Sequence, residues 1–330
     1  MQNNNLKFFK ISVDGLIGGH SGSDIDKCRL NPHKMLAKIL QNIKDYYLLD
    51  FFGGKNFNVI PSNSNCVIAS PLNKTQIKKI VNKSIVFYKR SLKNTIKNIK
   101  IRQNQTLSDK DFKQSFYVNT KKQKESLIKE LKTQIKQLKI NLNNVQPQKD
   151  YYVYGKSFIN FINLFNQGVL IKNKGLQVEI SQNLSEVNIK NAELKIGIRS
   201  SVKNAEKTYI KRLLELAHQN HMVGNVVDTQ PGFSTKLRSK LKQQIKQANC
   251  FNYESSLHIA VELGVLQDRI KNLDAVIISP TIIDAHSTKE RVEIQSINTT
   301  YDWIVQFLKT YWFCLIISIF FGIMIKIKLD

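Results

Sequence analysis

ISVDGLIGGHSGSDIDKCRLNPHKMLAKIL, residues 11–40, sets the architecture, because three kinds of local order follow one another in it. It continues Leu6 to Val13 (LKFFKISV), a run rich in apolar and β-branched residues that stops at Asp14-Gly15 and so predicts a strand. Residues 15–26 hold four glycines around a single His20, the composition of a tight loop rather than of a helix or strand. Asn31-Pro32 then supplies a helix start, Asn accepting from the first orphan N–H groups and Pro pre-setting φ where its missing N–H costs nothing. Met35, Leu36, Ile39, Leu40 and Ile43 recur at helical spacing behind it. Strand, glycine loop with an imidazole, capped helix is the unit from which the rest is read.

Outward from that unit, a second strand is predicted over Asn58 to Ile68, with Pro61 as an edge, start or break. From Asn73 to Leu142 Lys, Gln and Asn dominate, yet Ile77, Val81, Ile85, Tyr88 and Leu92, then Leu127, Leu131, Ile135, Leu138 and Leu142, keep a helical beat. Two long amphipathic helices split by a polar loop near Gln103 to Asp111 fit it, their lysines forming solvated faces. After a turn at Gln146 to Asp150, strands are predicted at Gly175 to Ile180, Glu186 to Ile189 and Leu194 to Arg199, and a helix at Ala205 to His218. Strands and helices in this order predict an α+β first two-thirds. VGNVVDTQPGF at Val223 to Phe233 reads as a boundary, followed by a helix at Ser234 to Ala248, a strand at Ala275 to Ser279 and a helix at Tyr301 to Leu308.

Fifty Lys and Arg against 25 Asp and Glu give a formal charge of +25, which raises the question of a polyanionic partner. Only eight of these cations are Arg, Asn and Ile are also abundant, and no basic patch is interleaved with aromatics for stacking. An A/T-rich codon bias explains the excess, and no nucleic-acid partner is expected. Cys28, Cys66, Cys250 and Cys314 are too scattered for a zinc knuckle or a disulfide framework, and the polar first five residues are no secretory signal, so a cytoplasmic location is expected. Tyr311 to Ile325 (YWFCLIISIFFGIMI) carries no charge but falls short of the roughly 20 residues that span a bilayer. The stretch from 309 to 330 is read as a possible membrane anchor, a buried terminal helix or the product of a wrong gene boundary.

Without any resemblance, the chemistry is thin. His20 is exposed by its glycines to polarise a carbonyl or bind metal, and His286, with Asp284 two before it, sits past a predicted strand where α/β folds place ligand groups. His218 and His221 end a helix, where cations complement the dipole. No G-x-S-x-G elbow, P-loop or dinucleotide fingerprint is present.

The stretch Ile11 to Leu40 resembles the start of the lid, or dimerisation, domain of the aminoacyl-histidine dipeptidases, the Xaa-His dipeptidase branch of the M20 zinc metallopeptidases, whose pattern is GLxGGHSGxDIxxxRxNxxKxLAxxL. FFGGKNFNVIP (Phe51 to Pro61), the IR within Leu194 to Ser200, and HIAVELGVLQDRIKNLDAVIISPTIIDAHSTKERVEIQS (His258 to Ser296) follow in the family's order, so the resemblance runs from Leu6 to Leu308. It implies an α+β lid over residues 1–222, with the Lys-rich helices at 73–142 inside it, followed at 223–308 by the C-terminal α/β segment of a split zinc-peptidase catalytic domain. It implies His20 as the lid histidine that steadies the scissile carbonyl oxygen, Asn58 and Arg199 as substrate contacts, Glu262 as the acidic residue of an H-A-G-x-E-C-G segment, and His286 as the last ligand of a paired zinc site. Ala260 and Leu263 depart from that segment, and Ser279 replaces the usual Gly before Pro280.

The family's remaining metal site needs an H-x-D motif, a bridging Asp and a Glu-Glu pair. None of the six histidines is followed by x-Asp, and no two glutamates are adjacent. A two-metal hydrolase requires a bridging carboxylate and a base. The expectation is the C-terminal part of a zinc dipeptidase acting on Xaa-His dipeptides, inactive alone, partnered by a second copy through the lid or by a separate N-terminal half. The alternative is a non-catalytic dimerising interaction protein, tethered to a membrane through 311–325.

Overall fold

The computed structural model describes residues 5–103, 121–147, 155–173, 178–202, 204–229, 239–247, 258, 262–283 and 290–309. The chain divides into two units, the first comprising residues 1–232 with 258–260 and the second 233–257 with 261–330.

The first unit is built on a seven-stranded sheet of antiparallel pairs. β1 (Lys7–Asp14) is followed by the short β2 (Gly19–His20), α1 (Pro32–Gln41), β3 (Tyr47–Gly53), β4 (Val59–Ile60) and β5 (Ser64–Ser70). Then come α2 (Lys74–Gln103), α3 (Lys121–Gln137), β6 (Lys139–Asn144), α4 (Gly155–Leu164), β7 (Gly168–Lys172), β8 (Val178–Asn188), β9 (Glu193–Ser200) and α5 (Ala205–Gln219). The sheet runs β6-β1-β5-β3-β8-β7, with β9 also on β8, and β2 pairs with β4 in a separate ladder.

Alternation in β1 sends Phe9, Ile11 and Val13 into the main core, while Phe8 joins Leu49, Val67 and Ala69 on the other face. α1 lays Met35, Leu36, Ile39 and Leu40 onto that core, each fully buried and each stabilising by about 1.5–3 kcal/mol. The Asn31 side chain accepts from the His33 and Lys34 amides, the cap predicted from Asn31-Pro32. α4 adds Phe158, Phe161 and Ile162. α2 and α3 pack on each other through Leu92, Ile96, Ile99, Leu127, Ile128 and Leu131, of which Leu92, Leu127 and Leu131 belong to the helical beat read from the sequence.

Several elements differ from the sequence reading. The second long helix stops at Gln137, and 139–144 is strand β6, registering Ile11 with Leu142 and Val13 with Ile140. Leu138, Ile140 and Leu142 satisfy a period of two as well as a helical one, and a free edge on β1 settles the choice. The strand predicted over Asn58 to Ile68 is two, β4 and β5, broken at Pro61, which cannot donate to a ladder. The two strands predicted at 175–180 and 186–189 are one, β8. β3, α4 and β7 were not predicted: their runs are short and apolar without a clear period. The polar loop after Gln103 and the turn ending at Asp150 lie largely outside the described residues.

In the second unit, α6 (Lys240–Gln247), α7 (Glu262–Arg269), the two-residue pair β10 (Ile282–Ile283) and β11 (Arg291–Val292), and a helix over residues 294–309 are described. Residues 275–279, predicted as a strand, are not one: among the described residues no strand pairs with them. No described helix is long and apolar enough to cross a membrane, and the apolar stretch 311–325 lies outside the described residues.

Candidate functional site

The glycine loop of residues 15–26 closes on itself through charge. Asp24 accepts the His20 backbone N–H at 2.9 Å and pairs with Arg29 at 2.8 Å and Lys27 at 2.7 Å. Burial opposes ionisation of Asp24, but the Arg29 and Lys27 charges outweigh it and hold the carboxyl below its ordinary value. Arg29 reaches on to the Gly18 carbonyl and to Glu130 of α3, so its guanidinium is neutralised from two sides. Gly19, at φ +133°, has the Arg29 guanidinium where a Cβ would stand, so only glycine fits.

His20 is buried rather than exposed as its glycines predict, because the turn that follows folds back on its ring and orients it. The Gly22 and Ser23 backbone amides approach Nδ1 at 3.2 and 3.1 Å. Both are obligatory donors, so Nδ1 must be the unprotonated nitrogen and Nε2 carries the proton. The loop thereby fixes the tautomer and makes Nε2–H the ring's donor. The strand carrying it is held by β4, His20 opposite Val59, and by the Ser21 N–H donating to the Asn58 carbonyl at 2.8 Å. Asn183 of β8 donates to the Val59 carbonyl at 2.8 Å, tying β4 to the main sheet.

Ser21 places its hydroxyl against Arg199 of β9, whose Nε and Nη2 both lie 3.2 Å from Oγ. Arg199 has no carboxylate partner among the described residues, and burial alone pulls its pKa below the ordinary value. This is the opposite of Arg29. A half-buried cation without a counter-charge is costly, and the cost falls when an anion arrives.

On the other side of Arg199, across the β8–β9 ladder, Ser181 stands directly opposite and its hydroxyl meets His258 Nε2 at 2.9 Å. Burial, with the Arg199 charge adding to it, pushes the His258 pKa down to about 4, so the ring is neutral at physiological pH. The His258 carbonyl lies where a Cβ on Gly22 would stand. His20, Asn58 and Arg199 are thus brought together around Ser21, with His258 packed behind.

The other two sequence candidates are Glu262 and His286. Glu262 begins α7 of the second unit, and His286 lies outside the described residues. No group of three or more His, Cys, Asp or Glu among the described residues is placed to hold a metal ion, and His20 Nδ1 already takes two amides. This donor set does not make a zinc centre; what it can do is bind an anion and donate to a carbonyl oxygen. Ser21 and His258 were missed as site residues, although one follows His20 directly and the other heads the HIAVELG segment.

No model of a known protein family matches the chain. The cytosol non-specific dipeptidase of Escherichia coli (strain K12) is 26% identical over 317 residues, covering 91% of this chain and 57% of that protein. The crystal structure of aminoacylhistidine dipeptidase from Vibrio alginolyticus superposes with a TM-score of 0.62 at 20% identity, covering 93% of this chain and 58% of the other. The chain is homologous to the first and shares the mixed α/β fold of the second, and it spans less than three-fifths of the length of either.

Proposed function

We propose that the chain is the lid and C-terminal part of a metal-dependent dipeptidase of the aminoacyl-histidine type. The observation that carries this reading is Arg199, a half-buried guanidinium with no carboxylate partner among the described residues, one serine away from a histidine of fixed tautomer. Arg199 takes the terminal carboxylate of the peptide, its planar donors suiting both oxygens. His20 donates from Nε2 to the carbonyl oxygen of the scissile bond as charge develops there. Asn58 lies beside both, its backbone fixed to Ser21. Homology to a cytosol non-specific dipeptidase supports peptidase chemistry and a cytosolic setting.

Water activation is outside what these residues do. A zinc pair would need a bridging carboxylate and a base, and the chain has neither an H-x-D motif nor adjacent glutamates. On this reading the chain alone binds dipeptide without turning it over, and its partner is a second copy through the lid or a separate N-terminal half that supplies the missing ligands. The test is hydrolysis of L-alanyl-L-histidine in zinc-containing buffer by the full chain, alone and mixed with the part of the Escherichia coli dipeptidase that it does not match. The expected result is no hydrolysis alone and hydrolysis in the mixture that Arg199→Gln abolishes. Turnover by the chain alone overturns its assigned inactivity. Silence in the mixture, with no dipeptide binding, favours a non-catalytic interaction protein.

A further inference from the structure

We propose that Ser21 is a positioning residue for the peptide carboxylate: its hydroxyl holds the Nε–Nη2 edge of Arg199 so that Nη1 is presented to the ligand. The inference rests on the reading that Arg199 is the carboxylate subsite, and adds to it a residue that sets the aim of the guanidinium.

An arginine side chain has four rotatable bonds, and a lone guanidinium samples many directions. Here two of its donors converge on one oxygen at 3.2 Å each. That oxygen belongs to a residue that is only 3% exposed. Its own backbone is pinned by the bond from Ser21 N–H to the Asn58 carbonyl, and the residue before it is His20, whose ring is locked by the next turn. Ser21 is therefore a fixed anchor, joining the carboxylate grip to the carbonyl donor through a single peptide unit. Nη1 makes no hydrogen bond among the described residues, so the end of the guanidinium opposite the anchor keeps its donors for a ligand. Behind Arg199 stands the neutral His258, held on Ser181, which offers no negative charge to compete for the cation. A carboxylate in place of Ser21 would close the guanidinium as Asp24 and Glu130 close Arg29; a hydroxyl orients it and leaves the charge unspent.

The experiment uses the full chain and two probes, L-alanyl-L-histidine and L-alanyl-L-histidinamide, titrated by calorimetry or by chemical-shift perturbation. The wild type is expected to prefer the acid about tenfold. Ser21→Ala is expected to weaken acid binding five- to tenfold and leave amide binding unchanged, whereas Arg199→Gln removes the preference entirely. An unchanged acid-to-amide ratio in Ser21→Ala, with the ratio lost in Arg199→Gln, overturns the role of Ser21 and leaves the subsite standing. A wild type that does not favour the acid overturns the subsite, and the proposal with it. The Arg199 Nε–H signal gives a readout that needs no variant: exchange at least tenfold slower than in free arginine is expected in the unliganded wild type, and exchange at the free rate overturns the anchor.

Discussion

His33 shows how one buried side chain governs the acid response of the first unit. It is fully buried at the start of α1 with Nδ1 2.8 Å from the Ser64 hydroxyl, and burial pushes its pKa down to about 3 from 6.5. A base with a depressed folded pKa binds protons preferentially in the unfolded chain, so its stabilising contribution is whole above pH 6.5 and is lost as pH falls toward 3. His258 acts in the same direction over a narrower window, from 6.5 to about 4. We expect His33→Gln, compared with wild type by urea unfolding at pH 7 and pH 4, to lose less stability on acidification. The difference should be on the order of 3 kcal/mol, following from about 1.4 kcal/mol per pH unit. Equal losses in the two proteins would show that His33 is not the titrating group. At this scale the sequence was informative only in part. His20 stood out through its glycines, but the meaning of Arg199 came from a family resemblance, and its contact with Ser21 spans 178 positions of chain, a separation that no local pattern encodes.

At the scale of elements, the parts legible in the sequence are those whose signals are local. Asn31-Pro32 announces α1 because capping uses atoms within three residues. β6 was misread because the same leucines and isoleucines fit two periods and only a distant partner, β1, decides between them. Asn31 joins the two kinds of information. Its Oδ1 caps α1, while its Nδ2 donates to the Leu184 carbonyl at 2.8 Å and to Gln167 at 3.2 Å. Gln167 in turn donates to Asn183, the residue that holds β4 and therefore the strand of His20. Asn31→Asp keeps the cap and loses the donor; Asn31→Ala loses both. Chemical denaturation should place the Asp variant about 1–2 kcal/mol below wild type and the Ala variant about 3 kcal/mol below it, the sum of a lost cap and an abandoned buried carbonyl. If the Asp variant is as stable as wild type, the bond to β8 contributes nothing and the polar chain from α1 to β4 is incidental.

At the scale of the whole molecule, the two units differ in how they treat apolar surface. The first buries Phe9, Ile11, Met35, Leu36, Phe51 and Phe161 almost completely within one cluster. Among the described residues of the second, Ile245 alone of the large aliphatic and aromatic side chains is buried, whereas Ile270, Ile282, Ile294, Tyr301 and Leu308 are exposed. Among the described residues, the second unit thus leaves more apolar surface exposed than a finished core does. Helices held by few apolar contacts open locally at little cost, because their amides are protected only by the helix itself. Hydrogen exchange on the full chain should therefore separate the units. Amides of β1, β5 and α1 should exchange only through global unfolding, and those of α7 and residues 294–309 at least a hundredfold faster. On the proposed reading, addition of the part of the Escherichia coli dipeptidase that the chain does not match should slow the second set and leave the first unchanged. Uniform protection of both sets in the isolated chain would mean that the second unit has completed its core, and would remove the physical reason to expect it to need a partner.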